Sequence, residues 1–150
     1  STRNNEPGAS NPLVNLMGHK DLGGKTVLYL VDGLYGAMNQ QSVEPIHWSM
    51  KPFKGNWTSS LFLSQDQVAI DSVVYDFLRT ETDISTASGN YLREAAQAGD
   101  SPSDTAYDPE ADGRKLESLG VYEHWNNADD KKYSRNLGKN EGIELIKIKN

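Results

Sequence analysis

Three aspartates stand where apolar segments of the sequence give way to a loop or a helix. Asp32 follows the strand-like run 27–31, and Asp66 and Asp71 follow the run 59–63. Carboxylates are costly to bury unless they are paired, hydrogen-bonded or bound to a metal ion. Acids framed by Val, Leu and Ile are therefore the first candidates for a binding or catalytic site.

The three aspartates predict a site for a divalent cation or a small polar ligand. Parallel strands would bring Asp32 and Asp66 to one edge of the sheet, where ligands bind in α/β folds because the loops converge there. Asp71 lies at the border of the apolar stripe of the helix that follows. Clustered acids repel one another unless a proton or a cation lies between them, and oxygen ligands favour Mg²⁺ or Ca²⁺. The structural alternative is that Asp32 makes a turn and Asp66 caps the helix.

Aromatic side chains and one histidine extend this candidate site. Residues 35–58 form a long loop, and loops of this length are usually functional or flexible. We expect Trp48 and Trp57 of this loop to cap the acidic pocket. His124 stands between Glu123 and Trp125, so a carboxylate, an imidazole and an indole would line a pocket together. Alternatively, His124 is a hydrogen-bonded surface residue beside a core tryptophan.

A second acidic cluster resembles the first half of a calcium-binding loop. Asp108, Glu110 and Asp112 alternate along the chain, and Gly113 occupies the sixth position. The twelfth position is Leu119, where such a loop needs a bidentate glutamate. The cluster is therefore either a weak Ca²⁺ site or a solvated acidic turn.

Few regular elements are available to position these residues. Hydrophobic spacing predicts helices over 13–19, 67–80 and 91–98. It predicts strands over 27–31, 59–63 and 143–148, of which the first has the composition of a strand covered on both faces. We expect residues 1–12 to form an extended arm and 13–150 a single α/β domain. Its small sheet, mixed or parallel, would be flanked by helices and joined by long irregular loops.

Composition narrows the classes of function. The 150 residues carry a formal charge of -6 and include no cysteine. Such an acidic chain lacks the broad positive surface that nucleic acids or anionic membranes attract, so we predict neither as a partner. Without cysteine there can be no thiolate nucleophile and no cysteine-ligated iron–sulfur cluster. The sequence also contains no run of about 20 apolar residues, the length that a membrane span needs.

Two motifs resemble the carboxyl-terminal half of the domain-of-unknown-function 362 (DUF362) family. They are Val-Asp-Gly-Leu-Tyr-Gly at 31–36 and Ser-Gln-Asp-Gln-Val-Ala-Ile-Asp-Ser-Val at 64–73. The segments 118–127 and 133–138 resemble a subgroup found in exported bacterial proteins. Gln67 stands where the family usually has proline. The resemblance covers most of 13–146 and implies an α/β domain in an extracytoplasmic protein, with no settled activity.

The resemblance also implies a partner. The family's domain is considerably longer than this chain, so the sheet would be completed by a missing amino-terminal half or by another polypeptide. Some relatives carry a ferredoxin-like cluster, for which this chain has no cysteines.

Three classes of function remain open from the sequence. The first is a module that binds Ca²⁺, Mg²⁺ or a small polar ligand through its acids. The second is a hydrolase- or transferase-like enzyme in which one of these acids is a general base, assisted by His124 or His47. The third is a structural or assembly subunit whose acids only cap helices and turns.

Overall fold

A computed structural model describes residues 7–39, 41–82 and 89–148, and half of the predicted arm, residues 1–6, lies outside them. The predicted α/β fold with a small sheet and long loops is confirmed. Its elements in chain order are α1 (Pro12–Gly18), β1 (Tyr29–Gly33), β2 (Ser60–Ser64), α2 (Gln67–Glu81) and α3 (Gly89–Ala96). Short 3₁₀ turns occupy Gly23–Lys25, Ala98–Asp100 and Arg135–Leu137. Within the described ranges, none of these helices has both the length and the apolar character to span a lipid bilayer.

The two strands run antiparallel, and the parallel arrangement proposed for them is wrong. Tyr29 lies opposite Ser64 and Gly33 lies opposite Ser60. A parallel pair needs a crossover connection, usually a helix. The connection from β1 to β2 contains isolated antiparallel bridges instead, from Gly36 to Ile46 and from Trp48 to Asn56. These bridges fold the loop back on itself, and the chain re-enters the sheet in the opposite direction.

Only one face of the sheet is covered within the described residues, so the prediction of a strand buried on both faces is wrong. Helix α2 packs against both strands. On the other face, Leu30 lies opposite Leu63, with Leu61 two residues along β2. Each of these leucines is more than half exposed, at 56%, 58% and 56% respectively. The outer face of the sheet is therefore an exposed apolar surface, which we call the leucine face.

Helix α2 lies between two hydrophobic cores and contributes to both. Its Val68 and Tyr75 pack with side chains of α1, α3 and the following loop, and its Val73 and Phe77 pack on the aromatic side. The first core is built mainly from Val14, Val68, Tyr75, Leu92, Ala95 and Tyr107. The second contains Trp48, Phe53, Phe77, Trp125, Tyr133 and Ile143. A helix buried on two sides brings polar side chains into the interior as well.

The helix predictions hold to within a few residues, whereas the third predicted strand is absent. Helix α3 begins two residues before its predicted start and gives way to a 3₁₀ turn. Residues 143–148 form no strand; the Ile143 amide donates to Glu123 Oε2 at 2.8 Å and the Leu145 amide to Asn136 Oδ1 at 2.9 Å. Side chains thus bind backbone groups that a neighbouring strand would otherwise pair.

Candidate functional site

The antiparallel sheet places Asp32 and Asp66 at opposite ends. Asp32 lies opposite Leu61, while Asp66 follows the far end of β2, about 15 Å further along an extended strand. Asp32 Oδ1 accepts a hydrogen bond from the Leu34 amide at 2.9 Å, which fixes an exposed turn. This contact is the one expected if Asp32 only stabilises a turn, which was the structural alternative to a binding role.

Asp66 caps α2 and also anchors a distant loop. Its Oδ1 accepts from the amides of Val68 and Ala69, at 2.9 and 2.8 Å, as the predicted N-cap requires. Its Oδ2 accepts from the Val121 amide at 2.9 Å. The second contact joins residues 55 positions apart, and no local pattern predicts it.

Asp71 faces α3 rather than the other two acids. Its Oδ2 accepts a hydrogen bond of 2.7 Å from the hydroxyl of Tyr91. Burial raises the pKa of the Asp71 carboxyl, and the Tyr91 hydrogen bond opposes part of that shift. Asp32, Asp66 and Asp71 thus bind three different parts of the chain. Among the described residues, no group of three or more histidine, aspartate or glutamate side chains is arranged to hold a metal ion, so cation binding by these acids stays a prediction.

The acids of the second cluster bind backbone amides and a lysine. Asp108 accepts from the amides of Asp112 and Gly113, at 3.2 and 2.8 Å. Glu110 pairs with Lys20 Nζ at 2.8 Å, and this contact lowers the pKa of the Glu110 carboxyl. Asp112 accepts from the Arg114 amide at 3.0 Å. These contacts are those expected of an acidic turn, which was the alternative to a calcium-binding loop.

The two tryptophans proposed for ligand binding have different environments. Trp48 is buried in the second core against Phe53, with the rings edge to face. Trp57 is 40% exposed and lies edge to face with Tyr35 and His47, at centroid distances of 5.2 and 3.9 Å. Neither tryptophan covers a pocket shared by the three aspartates.

An acid that the sequence did not single out has the densest set of partners. Asp76 of α2 is fully buried. Its Oδ1 lies 2.7 Å from His124 Nδ1 and 2.8 Å from Arg79 Nε. Its Oδ2 accepts from the Trp125 amide and the Tyr133 hydroxyl, both at 2.9 Å. Four donors thus surround one buried carboxylate, and three of them, from His124, Trp125 and Tyr133, bind α2 to the loop 122–133.

His124 connects this carboxylate to the surface. Its imidazole is 35% exposed, and Nε2 lies 2.8 Å from the hydroxyl of Tyr122. A carboxylate only accepts hydrogen bonds, so we assign the hydrogen of neutral His124 to Nδ1 and the acceptor role to Nε2. Tyr122 then donates to His124, and His124 donates to Asp76. A hydroxyl, an imidazole and a buried carboxylate in this order form the arrangement that activates hydroxyl groups in many enzymes.

The sequence contained part of the signal for this site. Asp76 is the one acid in the run Val73 to Leu78, four residues after buried Ser72, so helical spacing puts it on a packed face. His124 was singled out from the sequence, but with Asp32, Asp66 or Asp71 as its acid, whereas its imidazole contacts Asp76. The partners are 48 residues apart, and only the packing of the loop 122–133 on α2 brings them together.

Comparison with known proteins adds no further constraint. No protein-family model, curated protein or solved structure matches the chain. The function is therefore inferred from the arrangement of its side chains.

Proposed function

We propose that this chain is a hydrolase- or transferase-like enzyme that binds a small polar ligand beside His124. The observation that carries the proposal is the pair of contacts on the two sides of one imidazole, 2.7 Å to Asp76 and 2.8 Å to Tyr122. Heavy-atom distances of 2.6–3.2 Å are those that proton transfer requires. The His124 side chain is 35% exposed, so a ligand can approach the imidazole from solvent.

The proposed reaction moves protons along the relay. The Tyr122 oxygen takes a proton from an attacking water or alcohol, while its own proton passes to His124 Nε2. The attacking oxygen forms a bond to the electrophilic centre of the ligand, and the bond from that centre to the leaving oxygen breaks. The leaving oxygen then receives the proton back through Tyr122, so the relay ends as it began.

Asp76 would act as a positioning residue in this mechanism. It holds His124 with Nε2 facing Tyr122, and it stabilises the imidazolium that forms during the transfer. Its other three donors keep the carboxylate in place without occupying His124. Burial raises the pKa of Tyr122, so the relay starts from the neutral phenol at neutral pH.

Removing one hydroxyl tests the proposal. In a survey of chromogenic acetate, phosphate and sugar esters, Tyr122→Phe should lower kcat/KM for any ester that the protein turns over by about 100-fold or more, the usual contribution of acid–base catalysis. The matched control is Tyr91→Phe, which removes a hydroxyl bound to Asp71 instead. The control should retain activity.

Two outcomes would contradict the proposal. One is equal turnover by Tyr122→Phe, Tyr91→Phe and the unchanged protein. The other is an identical pH dependence of kcat/KM in His124→Gln and the unchanged protein, because an imidazole that transfers protons must appear in that profile.

We also propose that a second polypeptide covers the leucine face, as the DUF362 resemblance implies for an extracytoplasmic protein of this kind. The support is that the sheet has two strands among the described residues and that Leu30, Leu61 and Leu63 lie together on its open face. Exposed apolar patches of this kind are common at protein–protein contacts.

The purified chain should therefore bind a dye that recognises apolar surface and increase in size with concentration, as measured by sedimentation. Leu63→Lys should reduce both effects, because it places a charge in the centre of the leucine face. A chain that stays monomeric at high concentration and binds no dye would contradict the need for a partner.

A further inference from the structure

Two tyrosine hydroxyls meet beside the first residue of α3. A Cβ atom added at Gly89 would lie 3.0 Å from the Tyr122 hydroxyl oxygen and 3.6 Å from that of Tyr75. The ring of Tyr75 is 6.0 Å from the His124 imidazole, measured between centroids. Both hydroxyls and the imidazole therefore share one polar region between α2 and α3, and the Tyr75 hydroxyl makes no hydrogen bond with any residue that the structure describes.

Two arginines lie one helical turn from these groups. Arg79 follows Tyr75 by four residues on α2, and Arg93 follows Gly89 by four residues on α3. Residues four apart lie on the same face of a helix, so Arg79 is one turn from Tyr75 and Arg93 is one turn from Gly89 on the same faces. Burial raises the pKa of Tyr122, and the positive charges of Arg93 and Arg79 oppose that shift, which agrees with this placement.

Both guanidinium groups retain donors for a ligand. Arg79 uses Nε to bind Asp76, which leaves its terminal nitrogens free because a guanidinium has five N–H donors. Arg93 is exposed, and its side chain makes no hydrogen bond or ion pair within the described part of the chain. Its neighbour Glu94 is buried and binds Tyr107 and Ser103 instead. Among the described residues, Arg93 therefore has no carboxylate partner, and Arg79 keeps its terminal nitrogens available beside its bond to Asp76.

We propose that the ligand of this site is a phosphate monoester, bound by Arg79, Arg93 and the hydroxyl of Tyr75, next to Tyr122 and His124. The inference names the ligand class of the proposed acid–base site and rests on that proposed function. Guanidinium groups bind phosphate and carboxylate oxygens in pairs of hydrogen bonds. A carboxylate has two oxygens for these donors, whereas a phosphate monoester offers three terminal oxygens and a charge near -2, which suits two cations and a hydroxyl.

Calorimetric titration with inorganic phosphate and with phenyl phosphate tests this ligand class. We expect both to bind the unchanged protein, and acetate to bind much more weakly. Arg93→Gln should weaken binding of both phosphates about 10-fold or more, the usual scale for a lost charge-assisted hydrogen bond. The matched control is Arg114→Gln, which removes the same charge from an exposed arginine on the acidic turn and should leave binding unchanged.

Three results would overturn the inference: no phosphate binding, equal weakening by Arg93→Gln and Arg114→Gln, or equally tight binding of acetate. Failure of the proposed function has a different signature. If phosphate binding depends on Arg93 while Tyr122→Phe changes no rate, the ligand class stands and the acid–base role fails. If Tyr122→Phe abolishes turnover of neutral esters and phosphate does not bind, the acid–base role stands and the ligand class is wrong.

Discussion

Asp76→Asn should lower the free energy of unfolding by about 3 kcal/mol, because it disturbs several hydrogen bonds to one buried carboxylate, and a hydrogen bond to a charged group contributes about 1.5–3 kcal/mol. The asparagine side chain has one acceptor oxygen, whereas the aspartate carboxylate has two. Its NH₂ group would therefore face at least one of the donors that now bind Asp76. The loss would be a large part of the 5–15 kcal/mol that stabilises a typical domain. Chemical unfolding followed by tryptophan fluorescence measures it, since Trp125 lies at the site.

Asp71→Asn is the matched control, because it makes the same change at a half-buried carboxyl with one hydroxyl partner. The pKa of Asp71 is raised above its ordinary 3.8, so the folded state binds the proton more tightly than the unfolded state. Ionisation therefore costs stability above the raised pKa, and this cost disappears as the pH falls through it. Asp71→Asn should be neutral or slightly stabilising at pH 7, with any gain lost below pH 3.8.

The two variants together test whether Asp76 holds the loop 122–133 on α2 in a way that the half-buried Asp71 does not. If Asp76→Asn and Asp71→Asn change stability equally at pH 7, the three contacts from Asp76 to the loop 122–133 do not stabilise its packing on α2. A loss of about 1 kcal/mol or less for Asp76→Asn would have the same meaning, because it matches an ordinary hydrogen bond.

Local signals predicted the helices well. Apolar spacing from Leu13 onward located α1, and Asp66 begins α2 with the side-chain contacts of the predicted N-cap. These signals depend on residues within one turn of each other, which a sequence displays directly. Strand direction depends on the path of a 26-residue connection, and nothing within either strand encodes it. The antiparallel pairing was therefore missed, although both strands were located.

The candidate site was predicted only in part for the same reason. His124 was selected for its polar and aromatic neighbours, but its acid is supplied by a helix far away in the sequence. A similar long-range arrangement recurs at Glu81, which accepts from the amides of Ser49 and Met50, and at Glu123, which accepts from Ser134 and Ile143. The described residues contain two short strands, and several loops are bound to the core through carboxylates. Asp66, Asp76, Glu81 and Glu123 thus each join segments that are distant in the sequence.

Gly120→Ala should lower the free energy of unfolding by about 3 kcal/mol, because the added methyl group would displace the Asp66 carboxylate and strain the backbone at residue 120. Gly120 has φ of +150°, a conformation that side chains rarely adopt, and a Cβ atom would lie 2.9 Å from Asp66 Oδ2 and still closer to Oδ1. The carboxylate must move away from the amides of Val68, Ala69 and Val121. Loss of the helix cap alone costs about 1 kcal/mol, to which backbone strain adds a similar amount or more. Thermal unfolding followed by circular dichroism measures the change.

Gly113→Ala provides the control, since Gly113 also has positive φ, at +83°, but a Cβ atom there has no neighbour within 4 Å. It should cost only the backbone strain, about 1 kcal/mol. A double-mutant cycle isolates the remaining effect: in an Asp66→Ala background the carboxylate is absent, so Gly120→Ala should lose much of its additional cost. Strictly additive effects of the two changes would mean that Asp66 and Gly120 do not meet, and the loop that carries Tyr122 and His124 would then be positioned by something other than the cap of α2.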